Sequence, residues 1–379
     1  MPELPPLPQA DEPAPSARVD FPCPSCGAKM TWSPEADALA CDHCGHKMEV
    51  PRSAAATILE RPLEEAGEAA RGLGRELRVA QCKNCGARVT FEDVATSLEC
   101  LFCGSANVLA QEANRNALRP ESLVPLDVGR EDVQAKLSAW TRALWFRPNA
   151  LKQLKAFEAQ GVYVPCWTFD CHVDSEWSAD AGHYYWTTQV VPVMVNGKLT
   201  MRAQPVRKVR WVPAWGNRRD DYDDVLVHAS EGVPVALVER LGGFDTQRLV
   251  PYRPEYLAGW HAEEYQLDLE HAWERGQTRV VEQQERRCAG DVPGDTHRAL
   301  RVHNTIRDVR WKHVLLPLWT VSYRHAGKVY TVLVNGQTGQ VHGEAPLSWA
   351  KIVLFVLAVL AGLGLVVLVL SIIAAVSSM

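Results

Sequence analysis

Eight of the eleven cysteines fall into four Cys-x-x-Cys-Gly turns: Cys23 to Gly27, Cys41 to Gly45, Cys82 to Gly86 and Cys100 to Gly104. Fourteen residues separate the two turns of each pair, and the second pair follows the first at an offset of 59. The echo extends past the cysteines, because Gly27-Ala28-Lys29-Met30-Thr31-Trp32 matches Gly86-Ala87-Arg88-Val89-Thr90-Phe91. A two-residue spacer lets both thiolates of a turn face one metal, and two such turns complete a tetrahedral sulfur site with metal–sulfur distances near ~2.3 Å. The glycine after each second cysteine tolerates φ > 0 at no steric cost, and the turn then aims backbone N–H groups at the sulfurs.

The pattern reads as two zinc ribbons. Cys23, Cys26, Cys41 and Cys44 would hold one structural Zn²⁺, and Cys82, Cys85, Cys100 and Cys103 a second. Iron is the alternative, since a tetrahedral S₄ set suits either metal. Lys29, Lys47, Lys83 and Arg88 lie close enough in sequence to offset the negative charge of four thiolates, and His43 and His46 read as surface residues. A closed four-thiolate site has no open coordination position, so its ion is structural. It also supplies folding free energy to a unit too small to bury a core.

The 379 residues leave room for two to four domains. A formal net charge of −5 without a strongly basic domain argues against a binder that works by neutralising phosphates. Outside the turns only Cys166, Cys171 and Cys288 remain, which points to a reducing compartment. Residues 1–19 are Pro-rich and acidic without an apolar core, and read as a disordered leader rather than a signal peptide. The other end is greasy. Ile352–Val376 holds eighteen Leu, Ile, Val or Phe and no charge, about 37 Å of helix against a hydrocarbon core of ~30 Å. This predicts a single-pass tail anchor with the bulk of the chain in the cytosol. Lys351 on the near side is a weak orientation signal. Ala358, Gly362 and Gly364 offer a loose small-residue face.

The elements that must position the turns follow from periodicity. Ribbon 1 takes 20–52 and ribbon 2 takes 79–112. Between them, 53–78 is expected to be a helical linker broken by Gly72 and Gly74, leaving the ribbons free to move independently. In 113–160, Val133, Leu137, Trp140, Leu144 and Trp145 predict an amphipathic helix over Glu131–Phe146, with a second over Ala150–Gln160. A second repeat lies beyond: Val162-Tyr-Val-Pro165-Cys-Trp167-Thr168 reappears as Val314-Leu-Leu-Pro317-Leu-Trp319-Thr320. Each copy is followed by Asn-Gly, at Asn196-Gly197 and Asn335-Gly336, a type I′ hairpin signal. The expectation is two related antiparallel β modules, 161–253 and 291–348, flanking a helical insert at 254–290. The fold class is α+β multidomain: two Cys₄ ribbons, a helix-plus-antiparallel-β region and one transmembrane helix, 351–376.

Other constellations read as ordinary structure. Arg202, Arg207, Lys208, Arg210, Arg218 and Arg219 surround Trp211 and Trp215, but Asp220, Asp221, Asp223 and Asp224 follow and are expected to cancel the charge. His261, Glu263, Glu264 and His271 lack the spacing of a zinc-protease helix. Cys166 and Cys171 read as core thiols, with metal binding alongside His172 or His183 as the alternative. No phosphate-binding loop, dinucleotide fingerprint or nucleophile elbow is present.

The four turns, Gly161–Asp170, Pro254–Trp260 and Val334–Gln340 with Gly343–Pro346 resemble a bacterial family of membrane-anchored double zinc-ribbon proteins, over about 80–90 % of the chain. Relatives often carry the label primosomal protein N′ (replication factor Y), superfamily II helicase, whose ATPase motifs have no counterpart here. The resemblance implies company with flotillin-like (SPFH) and phage-shock-type proteins, and so a non-enzymatic adaptor, single-pass in the bacterial inner membrane with its N-terminal bulk in the cytoplasm, that recruits a cytosolic partner there. Nucleic-acid binding through the ribbons, in replication or transcription, is the alternative.

Overall fold

In a computed structural model, residues 21–50, 58–71, 78–91, 99–103, 105, 108–112, 114, 117–148, 159–195, 198–241, 243–325 and 328–377 are described. The leader, the second helix expected after Pro148, and the Asn196-Gly197 turn lie outside them.

The first ribbon forms β1 (Thr31–Ser33), β2 (Ala38–Ala40) and β3 (Lys47–Met48), paired in that order. After it, β4 (Arg61–Pro62) is followed by a 3₁₀ turn over Leu63–Glu68. The described part of the linker is therefore not the expected α-helix; Pro62 and Gly67 lie in it and Gly disfavours a helical interior. The second ribbon forms β5 (Arg78–Cys82), β6 (Arg88–Phe91) and β7 (Val108–Glu112), with β5 in the middle. Then come β8 (Ser122–Leu123) and α1 (Arg130–Ala143), which buries Val133, Leu137 and Thr141 on one stripe.

The body is built on three very long strands: β9 (Gln160–Val195), β10 (Lys198–His228) and β13 (Thr296–His325). Between them the chain makes α2 (Val235–Arg240), β11 (Val250–Pro251), β12 (His261–Ala262) and α3 (Leu269–Asp291). After β13 follow β14 (Lys328–Asn335), β15 (Val341–Gly343) and the apolar helix α4 (Trp349–Ser377). The expected helix from Pro254 begins only at Leu269; Pro254–Leu257 is a 3₁₀ turn, and Asp268 caps α3 by accepting the His271 N–H at 2.9 Å.

The two β modules expected from the repeat are one sheet, ordered β10-β9-β13-β14-β15. Its repeat copies lie side by side and antiparallel. Val164 pairs with Leu316, its own counterpart 152 residues later, so the copies are related by a local two-fold through that pair. Equivalent positions behave alike. The Pro165 carbonyl accepts from the Ala229 N–H at 3.0 Å and the Pro317 carbonyl from the Gly336 N–H at 2.9 Å. The Trp167 indole donates to the Leu267 carbonyl and that of Trp319 to the Val128 carbonyl, each at 2.9 Å. The symmetry is broken where it must be: a Cβ on Gly161 would stand 2.3 Å from the Trp260 ring that packs on Trp319.

The second Asn-Gly is not a tight hairpin turn. The β13–β14 hairpin closes earlier, with His325 paired to Lys328. The Asn335 carboxamide instead accepts from the Gln337 and Thr338 N–H groups, and the left-handed residue is Gly339. Three bulges interrupt the long strands, each placing a non-glycine residue at positive φ: Asp224, Ala299 and Asp308. Such bulges bend and twist a strand locally. Helix α3 crosses the sheet with Leu269, Ala272, Gly276, Val280, Gln284 and Cys288 inward. Gly276 sits against Phe169, and Trp273 lies 5.1 Å from that ring.

Candidate functional site

The eight cysteines gather as two separate clusters, and all are free thiols. In ribbon 1 the Cys23–Cys44 and Cys26–Cys41 sulfurs stand 3.5 Å apart; in ribbon 2 Cys82–Cys103 are at 3.6 Å and Cys85–Cys100 at 3.5 Å. Disulfide sulfurs would be at about 2.05 Å, whereas four sulfurs around one ion at ~2.3 Å are roughly 3.8 Å apart. The donor set fits one metal ion in each cluster.

The three turns whose glycine is among the described residues are closed the same way. The N–H of the glycine donates to the carbonyl of the first cysteine in Gly27–Cys23, Gly45–Cys41 and Gly86–Cys82, at 2.8–3.0 Å. These glycines take φ of 76°, 73° and 82°. The N–H of each first cysteine donates to the carbonyl of the residue after the glycine, at 2.7–2.9 Å: Ala28, His46, Ala87 and Ser105. Asn84 reaches two sulfurs: its N–H lies 3.4 Å from Cys82 Sγ and its side-chain amide 3.5 Å from Cys103 Sγ. The hydrogen bond from Cys85, against the opposing effect of burial, holds the Cys100 thiol down to about 5.

In both ribbons the first cysteine of each turn is buried; the second is exposed in ribbon 1 and half-buried in ribbon 2. The reason is docking. Both ribbons sit on the body of the sheet rather than swinging on a linker. Ribbon 1 plugs in through Met30, Trp32 and Leu39, all buried. Trp32 packs 4.6 Å from Tyr256, its N–H donates to the Ala258 carbonyl, and its own carbonyl accepts the Trp260 indole N–H. Ribbon 2 buries Phe102, Ala87 and Val89 against the body and adds polar contacts. Thr331 and Ser322 hydroxyls donate to the Phe102 carbonyl at 2.7 and 2.8 Å, Thr320 donates to the Leu101 carbonyl, and Arg88 pairs with Glu264 at 2.8 Å.

Helix α4 carries the second feature. Trp349–Ile372 has a mean hydropathy of 3.2 and none of it is buried, so it is long and apolar enough to cross a membrane. Its start is dressed by residues distant in sequence. The Ser348 N–H donates to the Phe146 carbonyl, Phe146 packs 5.3 Å from Phe355, and the Lys351 ammonium donates to the Arg147 carbonyl at 2.6 Å. Arg147 therefore joins Lys351 there, beside exposed Trp145 and Trp349. Cations and interfacial tryptophans are what the boundary of a bilayer selects. Nothing in the order of residues marked Arg147 for that place.

The remaining constellations are taken apart. His183 lies seventeen residues along extended strand from Cys166, about 55 Å. His172 pairs with Asp221 and His271 with Asp268, both exposed, while His261 donates to the Thr90 carbonyl at 3.0 Å. Cys166 instead meets His228, 3.2 Å away and unforeseen from the sequence. Burial drives the thiol far up and lowers the imidazole to about 4, so both are neutral. An activated thiolate–imidazolium pair needs the opposite shifts. Asp170, Asp223 and Asp224 cluster closely enough for a cation, but the buried Lys312 ammonium already stands 2.8 Å from Asp224 and 3.0 Å from Glu60. Burial pushes Glu263, between ribbon 2 and the sheet, up to about 8.

A sheet protein bearing two four-thiolate centres and one membrane-length helix is the class these features define. No family model and no solved structure matches the chain. It is similar to the protein named "Uncharacterized protein YdjG" of Bacillus subtilis (strain 168), 25 % identical over 336 residues, which span 88 % of this chain and 92 % of that one.

Proposed function

We propose that the protein is a non-enzymatic adaptor with two structural zinc ions, anchored in a membrane by α4, that holds a soluble cytosolic protein at the bilayer. One observation carries the reading: two closed four-thiolate clusters are clamped to the same sheet that ends in an exposed apolar helix. Closed sites do no chemistry at the ion, but they stiffen a small surface for docking. A tether then confines the docked protein to a thin layer and raises its effective concentration without new contacts. The neutral, buried Cys166–His228 pair supports leaving catalysis out. The resemblance to double zinc-ribbon proteins suggests a flotillin-like or phage-shock-type partner.

The test compares affinity-tagged full-length chain, a Cys85→Ser/Cys103→Ser variant and a chain ending at Ser348, each purified from cells with mild detergent. One soluble protein should accompany the full chain on membranes, drop at least tenfold with the cysteine variant, and stay bound but in the soluble fraction with the truncated chain. The same proteins in the same amounts and fractions from all three would refute the adaptor role.

A further inference from the structure

The pairing of β9 with β13 stops at Gly182–Thr296, yet β9 and β10 run on together to Val195 and Lys198. They form a two-stranded arm, 183–195 with 198–210, and its two faces differ. Cross-strand partners share a face, and the register groups Trp186 with Arg207, Val190 with Ala203, and Met194 with Leu199 on one side, joined by Met201 opposite Pro192. Trp186, Val190, Met194, Leu199 and Met201 are 56–69 % exposed. The other face places exposed Arg202, Lys208 and Arg210 opposite Val191, Tyr185 and His183.

The sequence suggested that acidic neighbours cancel this charge, and the strand geometry overturns that. From Gly182 to Asn217 there are five cations, Lys198, Arg202, Arg207, Lys208 and Arg210, and no Asp or Glu. Asp220 lies ten residues of strand below Arg210, about 33 Å away, and is engaged by Arg218 and Arg287 at the base.

We propose that this arm is a second membrane contact, whose apolar face enters the headgroup–acyl boundary of an anionic bilayer while its cations meet lipid phosphates. An apolar face backed by Lys and Arg, with Trp and Tyr among them, is the composition of elements that lie in the plane of a bilayer surface, and an anionic leaflet attracts such clusters. Charge complementarity selects lipid over a second copy of the chain. A second arm laid on the apolar face would leave Arg202, Lys208 and Arg210 of both copies on the outside with no acid along the arm to answer them, whereas the phosphates of a lipid surface meet them. The arm lies far from α4: β15 and the start of α4 adjoin the Gly161 end of β9 through β14, and Val195 is 34 residues along, about 110 Å. Two contacts with one bilayer lay the long sheet along it. The inference does not depend on the adaptor reading.

Hydrogen–deuterium exchange of the full-length chain, reconstituted into vesicles of phosphatidylcholine alone or with one-third phosphatidylglycerol, reads the two contacts separately. Flotation with both vesicle types reports α4. Exchange in peptides from 183–195 and 198–210 should slow at least tenfold only with phosphatidylglycerol, and the slowing should vanish in Met194→Ser/Leu199→Ser/Met201→Ser and shrink in Arg202→Gln/Lys208→Gln/Arg210→Gln. Unchanged exchange in 162–173 and 311–321 certifies that these variants fold. Equal exchange in the two lipids overturns the inference. So does slowing in detergent that rises with protein concentration, which assigns the face to a second copy, or slowing brought by duplex DNA without lipid.

Discussion

The two ribbons are built from the same turns at the same spacing, each buries an aromatic in the body, and the hydrogen bonds around that aromatic differ. Ribbon 1 is seated by an apolar plug, with Trp32 2 % exposed under Tyr256 and Ala258. Ribbon 2 buries Phe102, 1 % exposed, in a cluster with Val233 and Leu237, and the carbonyls of its second turn accept from Thr320, Ser322 and Thr331 on β13 and β14. The difference teaches that the metal turn specifies its own fold and nothing about what it rests on. Attachment is decided by whichever side chains flank the turn and by the face of the sheet it meets.

The largest expected effect treats the ribbons as equals. Cys41→Ser should remove the ion and the folded structure of ribbon 1 alone, and Cys100→Ser those of ribbon 2 alone, because an ion held by four thiolates supplies folding free energy to its unit, about 10–16 kcal/mol where that ion is zinc. Metal content and limited proteolysis check this; loss of both ions from either variant would mean the ribbons are coupled. Next is Trp32→Ala, which leaves a cavity where the plug sat and should cost about 3–5 kcal/mol, measured by denaturant titration in mild detergent, with both ions retained.

Acid acts on the body that both ribbons share. His228 and His313 are buried and each is lowered to about 4 by desolvation. Their folded forms bind fewer protons than the unfolded chain, so stability is whole above the ordinary imidazole value of about 6.5 and falls as pH drops from there towards 4. The loss is up to roughly 3 kcal/mol for each. The stability difference between the parent and a His228→Asn/His313→Asn variant should therefore shrink steadily over that window; a difference constant with pH would contradict it. The smallest effect is Thr331→Val, which removes one of the two hydroxyls on the Phe102 carbonyl while Ser322 keeps its bond, and should cost about 1 kcal/mol at most. A cost matching that of Trp32→Ala would mean that hydroxyls rather than buried aromatics seat the ribbons.

Local chemistry was legible in the residues, and pairing across distance was not. Cysteine spacing predicts both metal clusters because a CxxC turn is closed within six residues, as the bonds of Cys23 to Gly27 and Ala28 show. The uncharged run after Lys351 predicts α4 for the same reason. The repeat around Val162 and Val314 was visible, but that its copies pair with each other about Val164 and Leu316 depends on register, which no window of sequence contains. Asn335-Gly336 misled because an Asn side chain can cap a wider turn as well as start a tight one. Docking partners such as Trp32 with Tyr256, Cys166 with His228 and Arg147 with Lys351 are 62 to 224 residues apart, and only the folded sheet brings them together.

Metal analysis of the purified full-length chain tests the central claim most directly. The account predicts two ions per chain, falling to one in Cys41→Ser and to one in Cys100→Ser. Purified, folded protein carrying no transition metal would contradict it.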